Sequence, residues 1–152
     1  MREQDKRAGR PSWMTEHIKL YQTDPEKAHL WDASALGVPA RIPTLLLTTK
    51  GRKSGRDVFS PLIYTQSPTG FVVIASNGGA PEHPNWYRNL LASPVCDIQV
   101  GPQRYRVRAR IAVGEDRATL WAKMMKTWPR YDSYQQRAKG RQIPLVVLEP
   151  QK

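Results

Sequence analysis

Two polar, glycine-marked connections hold the residues best suited to binding chemistry. In the first, residues 50–57, Lys50, Arg52, Lys53 and Arg56 surround Gly51 and Gly55. Glycine lets the chain turn with its N–H groups turned outward, and fixed cations beside such N–H groups suit a phosphate or a carboxylate. In the second, residues 76–84, Ser76-Asn77-Gly78-Gly79 follows an apolar run. Here Gly78 and Gly79 would let the main chain approach a flat heterocycle. Each segment also reads as an ordinary turn with solvated side chains, and residue chemistry alone leaves both readings open.

Other chemistries find less support. His17, His29 and His83 lack ligand spacing and no CxxC or HExxH occurs, so no metal site is expected. Ser76 has no GxSxG context, and the single cysteine, Cys96, lies between apolar residues as a buried structural thiol would. Neither GxGxxG nor GxxxxGK[ST] is present. Arg104, Arg106, Arg108 and Arg110 alternate with Tyr105, Val107, Ala109 and Ile111, which puts a row of cations on one strand face. Such a row fits a nucleic-acid surface, and it equally fits a solvated face guarded against aggregation. Trp128, Tyr131 and Tyr134 recur every three residues, the spacing of core-facing aromatics.

These residues need elements to position them. Ser12 starts a predicted helix whose apolar face carries Trp13, His17, Ile18, Leu20 and Tyr21 and packs on the protein's own core, with a membrane surface or a place over a pocket as the alternatives. Asp24-Pro25 is a second helix start, cut short by Gly37 and Pro39. Strands are predicted over 44–49, 58–65 and 70–76 as an antiparallel meander, then over 96–100, 104–113 and 145–148. Helices are expected over 85–92 and 116–126. Antiparallel strands covered by helices make a small barrel-like sheet. At 152 residues one core is expected, with residues 1–40 as an arm and helical segment and 41–152 as the barrel domain. Residues 1–10 read as a disordered arm without a signal or membrane span, so the expected location is cytoplasmic, with peripheral membrane contact through the basic N-terminal segment. The net charge of +11 narrows partners to nucleic acid, an anionic membrane, or an acidic cofactor or substrate.

The segments LLLTTKGRKSG, SPLIY, VVIASNGGAPEHPNWYRNL and IPLVVLEP, in that order over about residues 41–150, resemble the deazaflavin-dependent nitroreductase family. The resemblance implies a mainly β fold with α, a split β-barrel like those that bind FMN. It implies binding of coenzyme F420, a deazaflavin with a ribityl phosphate and an oligoglutamate tail, and hydride transfer to a quinone, an activated alkene or a nitroaromatic compound. Carried over by position, it puts Arg52, Lys53, Ser54 and Gly55 at the phosphate and tail and Pro61 beside the ring. Ser76, Asn77, Gly78 and Gly79 would line the deazaflavin, with Trp86 and Asn89 in the supporting helix. Val58 stands where members commonly carry a second phosphate-contacting arginine. Arg56, two residues earlier, would reach the same side if the strand already runs there. Ile63, Tyr64, Trp128, Tyr131 and Tyr134 would form the acceptor wall, Ile63 and Trp128 in place of tyrosines. Ser76 would stabilise developing negative charge, and Tyr131, Tyr134 or solvent would supply the proton. FMN in place of F420 is the alternative cofactor, and a basic nucleic-acid-binding barrel the alternative function.

Overall fold

The structure, a computed structural model, describes residues 12–151, so the arm expected over 1–10 lies outside the described residues. In chain order the elements are α1 (Ser12–Thr23), α2 (Pro25–His29), β1 (Leu30–Asp32), β2 (Arg41–Lys50), β3 (Asp57–Ile63), β4 (Thr65–Gln66), β5 (Phe71–Ile74), α3 (Asn85–Ala92), β6 (Val95–Val100), β7 (Gln103–Ile111), α4 (Gly114–Thr127), α5 (Arg130–Arg137) and β8 (Leu145–Pro150). Short 3-10 turns occupy Ala33–Leu36 and Asn77–Gly79.

Strand β2 is the hub of one antiparallel sheet. Its first three residues pair with β1, Thr44 onward pairs with β3, and Leu46 to Thr48 pair with β6. From β6 the sheet continues through β7, β8 and β5 to β4. Leu45, Leu46 and Leu47 are all buried, so β2 needs cover on both faces. Strand alternation sends Leu45 and Leu47 into the barrel interior, while Leu46 meets Tyr21 and Ala28 beneath α1 and α2. Each such side chain contributes about 1.5–3 kcal/mol of burial. In β5 and β8, Val73, Val146 and Leu148 face the interior. Val72, Ile74, Leu145 and Val147 pack with Leu120, Met124, Trp128 and Tyr131 of the α4–α5 layer.

That two-sided burial corrects the expected meander. Strands β2 and β3 form a hairpin, but of the expected strand 58–65 only Thr65, in the short β4, pairs with β5, whose other partner is β8. FVVI and LVVL are apolar on both faces, and placing them side by side sandwiches both between two cores. The turn before β5 is as expected, with Ser67 Oγ accepting from the N–H groups of Thr69 and Gly70.

Helix α1 turns its apolar face onto the protein. His17 and Tyr21 are buried, and the Tyr21 hydroxyl donates to the Thr44 carbonyl at 2.6 Å and accepts from Gly101 N–H at 3.2 Å. The arginine row lies on β7 as alternation requires, but Arg106 pairs with Asp97 at 3.0 Å, and Arg110 pairs with Glu149 at 2.9 Å and Asp116 at 2.8 Å. Cys96 is buried and its thiol is pushed up to about 12 by desolvation, as a structural thiol should be. No helix among the described residues is long and apolar enough to cross a membrane.

Candidate functional site

At the end of β5 the chain makes an unusual turn. Asn77, Gly78 and Gly79 all have positive φ, at 49°, 64° and 84°. The Gly79 position is sterically closed as well, since a Cβ there would stand 2.7 Å from the Tyr134 carbonyl oxygen and 2.9 Å from Arg137 Cβ. Only glycine lets this turn lie flat against α5. Its carbonyls are taken up by arginines from the far end of the chain. The Arg141 guanidinium donates to Ser76 O at 2.8 Å, Ala80 O at 2.7 Å and Ala75 O at 3.3 Å, and Arg137 donates to Gly78 O at 3.1 Å. Arg141 also donates to His83 Nδ1 at 2.9 Å, which leaves the ring proton on Nε2. Burial first, then the charges of Arg141 and Arg88, lowers the His83 pKa and keeps this ring neutral.

The first connection is a tight turn closed by its own backbone. Gly51 N–H donates to Arg56 O and Gly55 N–H to Gly51 O, both at 2.8 Å, and Arg56 N–H donates to Ser54 Oγ at 3.1 Å. Buried Asn89 fastens the turn to α3, its Oδ1 accepting from Arg52 N–H at 3.1 Å and Arg52 Nη1 at 3.0 Å while its Nδ2 donates to Thr49 Oγ1 at 3.2 Å. Asn85 Oδ1 accepts weakly from Arg52 Nη2 at 3.5 Å.

A cavity of about 580 Å³ lies beside these elements. Of the residues singled out in the sequence, it is lined by Pro61, Ile63, Ser76, Asn77, Gly78, Trp86, Trp128, Tyr131 and Tyr134, with Val58 also in the wall. Gly79 sits behind the lining against α5. Arg52, Lys53, Ser54, Gly55 and Arg56 are exposed and do not line it, and neither does Asn89, which holds the turn from α3. Arg56 does not have the strand position that alternation with Val58 requires, because β3 begins at Asp57, paired with Lys50. Tyr64 also lies outside the cavity lining. It is buried in the barrel core, its hydroxyl 2.7 Å from His29 Nε2 and its ring edge-on to Phe71 at 5.6 Å.

The cavity has further walls. Trp13, Met14 and His17 of α1 line it, which puts this helix over a pocket, one of the two alternatives to core packing, and Trp31 of β1, which sequence reasoning did not single out, lines it too. The rings are continuous, Trp13 to Trp31 at 5.1 Å and Trp31 to Trp128 at 6.1 Å between centroids. His17 Nε2 donates to the Ala28 carbonyl at 3.0 Å, and desolvation lowers its pKa. Arg88 of α3 also lines the cavity, and its signal was available, since it lies three residues after Asn85 on one helix face. Arg141 gave no such signal, because its partners lie about sixty residues away in sequence. Among the described residues no group of three or more His, Cys, Asp or Glu could hold a metal ion.

A curled antiparallel sheet with a glycine turn opening on an aromatic-walled cavity is the split-barrel type of fold. The sequence profile of the F420H(2)-dependent quinone reductase family matches residues 32–150, and the chain belongs to that family. A relative from Mycobacterium tuberculosis, named F420H(2)-dependent quinone reductase, is 39% identical over 147 residues, covering 90% of this chain and 95% of the relative. A solved F420-H2 dependent reductase superposes with a TM-score of 0.64 at 35% identity, covering 70% of this chain and 94% of its own. A further solved structure, described as a domain-swapped dimer, gives 0.67 at 33% identity over 89% of this chain and 93% of its own. The fold and the reductase class therefore agree with the resemblance read from the sequence, under the quinone reductase name in place of nitroreductase.

Proposed function

We propose that this protein reduces a quinone at the expense of reduced F420 in the cavity between residues 76–79 and the Trp31–Trp128 aromatics. The observation that carries this reading is the continuity of that cavity, in which a glycine-turn backbone and a ring-lined apolar wall share one volume of about 580 Å³. Bound reduced F420 would supply a hydride, and the protein would supply orientation and electrostatics. Gly78 offers a surface without a side chain to one edge of a flat ring, and Pro61 and Ile63 offer apolar contact. Ser76, whose carbonyl is held by Arg141, would donate a hydrogen bond where negative charge develops on the acceptor. Trp31, Trp128 and Tyr131 exclude water and give the acceptor a flat apolar wall. Burial raises the Tyr131 pKa, so its phenol keeps its proton and acts as a hydrogen-bond donor, while the proton that completes reduction comes from Tyr134 or solvent. Arg52, tied to Asn89 and Asn85, and exposed Lys53 would meet the anionic tail where it leaves the cavity.

Peripheral membrane contact gains no support, since the described part of the N-terminal segment packs its apolar face on the barrel. The test is anaerobic mixing with reduced F420 and, separately, a naphthoquinone, an activated alkene and a nitroaromatic, following the return of oxidised F420 absorbance. Fastest oxidation by the quinone is expected. Absence of oxidation by any quinone contradicts the proposal.

A further inference from the structure

We propose that Arg88 binds the anionic phosphate-bearing part of the cofactor, supplying from α3 the positive charge that Val58 does not supply from β3. The inference rests on the reading that F420 is the ligand. Three observations carry it. First, Arg88 is the only lysine or arginine among the described residues lining the cavity, while Val58 lines the same cavity with an apolar side chain. Second, the two belong to neighbouring structure. Val58 pairs across the ladder with Thr49, Thr49 accepts from Asn89 Nδ2, and Asn89 follows Arg88 in α3. Third, the other arginines near the site are engaged: Arg52 with Asn89 and Asn85, Arg137 and Arg141 with the carbonyls of residues 75–80. The Arg88 guanidinium makes no hydrogen bond or ion pair with any described residue, although the residue is half-buried. A half-desolvated guanidinium is best satisfied by an oxyanion that brings several acceptors, as a phosphate does.

Glu82 is the one carboxylate among the described lining residues, and it opposes an anion, which makes the Arg88 charge more necessary. The charge is felt across the site, since Arg88 contributes to the lowered pKa of His83.

The experiment is a titration of wild type, Arg88→Ala and Arg88→Lys with two compounds, oxidised F420 and its tail-less chromophore, 8-hydroxy-5-deazariboflavin, which has neither phosphate nor glutamates. Loss of a charge-assisted hydrogen bond corresponds to about tenfold to hundredfold in affinity. Arg88→Ala should weaken F420 by that factor and leave the chromophore unchanged, and Arg88→Lys should recover part of the loss. Val58→Arg added to Arg88→Ala should restore F420 binding, which shows that the folded cavity persists. Unchanged F420 affinity in Arg88→Ala, or equal loss of both compounds, overturns the inference while leaving the cofactor reading intact. A wild type that binds neither compound overturns both.

Discussion

Asn89 joins three parts of the site with one carboxamide, accepting twice from Arg52 and donating to Thr49 from a buried position. Asn89→Ala leaves the Arg52 N–H and the Thr49 hydroxyl without their partner, and a cost of about 1–3 kcal/mol is expected in denaturant unfolding. F420 affinity should fall with it, because the 50–57 turn loses its anchor. Gly79→Ala tests the other connection. With φ at 84° and a Cβ 2.7 Å from the Tyr134 carbonyl, it should cost about 1–3 kcal/mol and push the turn off α5, weakening F420 and its tail-less chromophore alike. A Gly79→Ala protein with wild-type stability and affinity contradicts this geometry. At this scale the sequence was legible where the site is contiguous. Ser76, Asn77 and Gly78 follow one another and line one wall. Arg141 was illegible, because apart from His83 its partners are carbonyls that any residue type could have supplied, and all of them lie far away in sequence. Tyr64 misled for a related reason. Its neighbour Ile63 faces the cavity, while Tyr64 turns into the core to reach His29.

Helix α1 has two jobs among the elements. It covers Leu46, which alternation turns out of the barrel interior, and it brings Trp13, Met14 and His17 to the cavity. On the proposed reading the aromatic run Trp13–Trp31–Trp128 is the acceptor side, so Trp13→Ala should raise the KM for a quinone several-fold and leave F420 affinity unchanged. Steady-state kinetics beside a binding titration checks this, and an F420 loss without a KM change contradicts the assignment. The amphipathic face of α1 was readable from spacing, and α3 was readable to its ends, 85–92. The pairing of β5 with β8 was not, because nothing local distinguishes one doubly apolar strand from another as partner. Strand β1 was missed for its length, three residues being too few to show a period.

The whole molecule carries +11, and its described ion pairs at Arg106 and Arg110 balance parts of the β7 face. The excess favours anionic ligands at a distance, so F420 affinity should weaken with rising salt, and the nucleic-acid alternative gains nothing specific from that face. Protonation gives a second global handle. His17 and His83 both line the cavity and both have pKa values lowered by burial. Above about pH 6.5 histidine is mostly neutral folded or unfolded and little proton linkage acts. As pH falls below that value, the unfolded chain binds protons that the folded chain refuses, so stability declines until the lowered folded values are reached. The melting temperature should therefore drop between pH 7.5 and 5.5, with a shallower slope in His17→Gln. An equal slope in that variant removes His17 from the explanation. Parallel equilibrium titration with oxidised F420, FMN and NADPH identifies the cofactor. Saturable binding of F420 that neither FMN nor NADPH displaces is the expected result, and tight binding of FMN with none of F420 would rule F420 out as the cofactor.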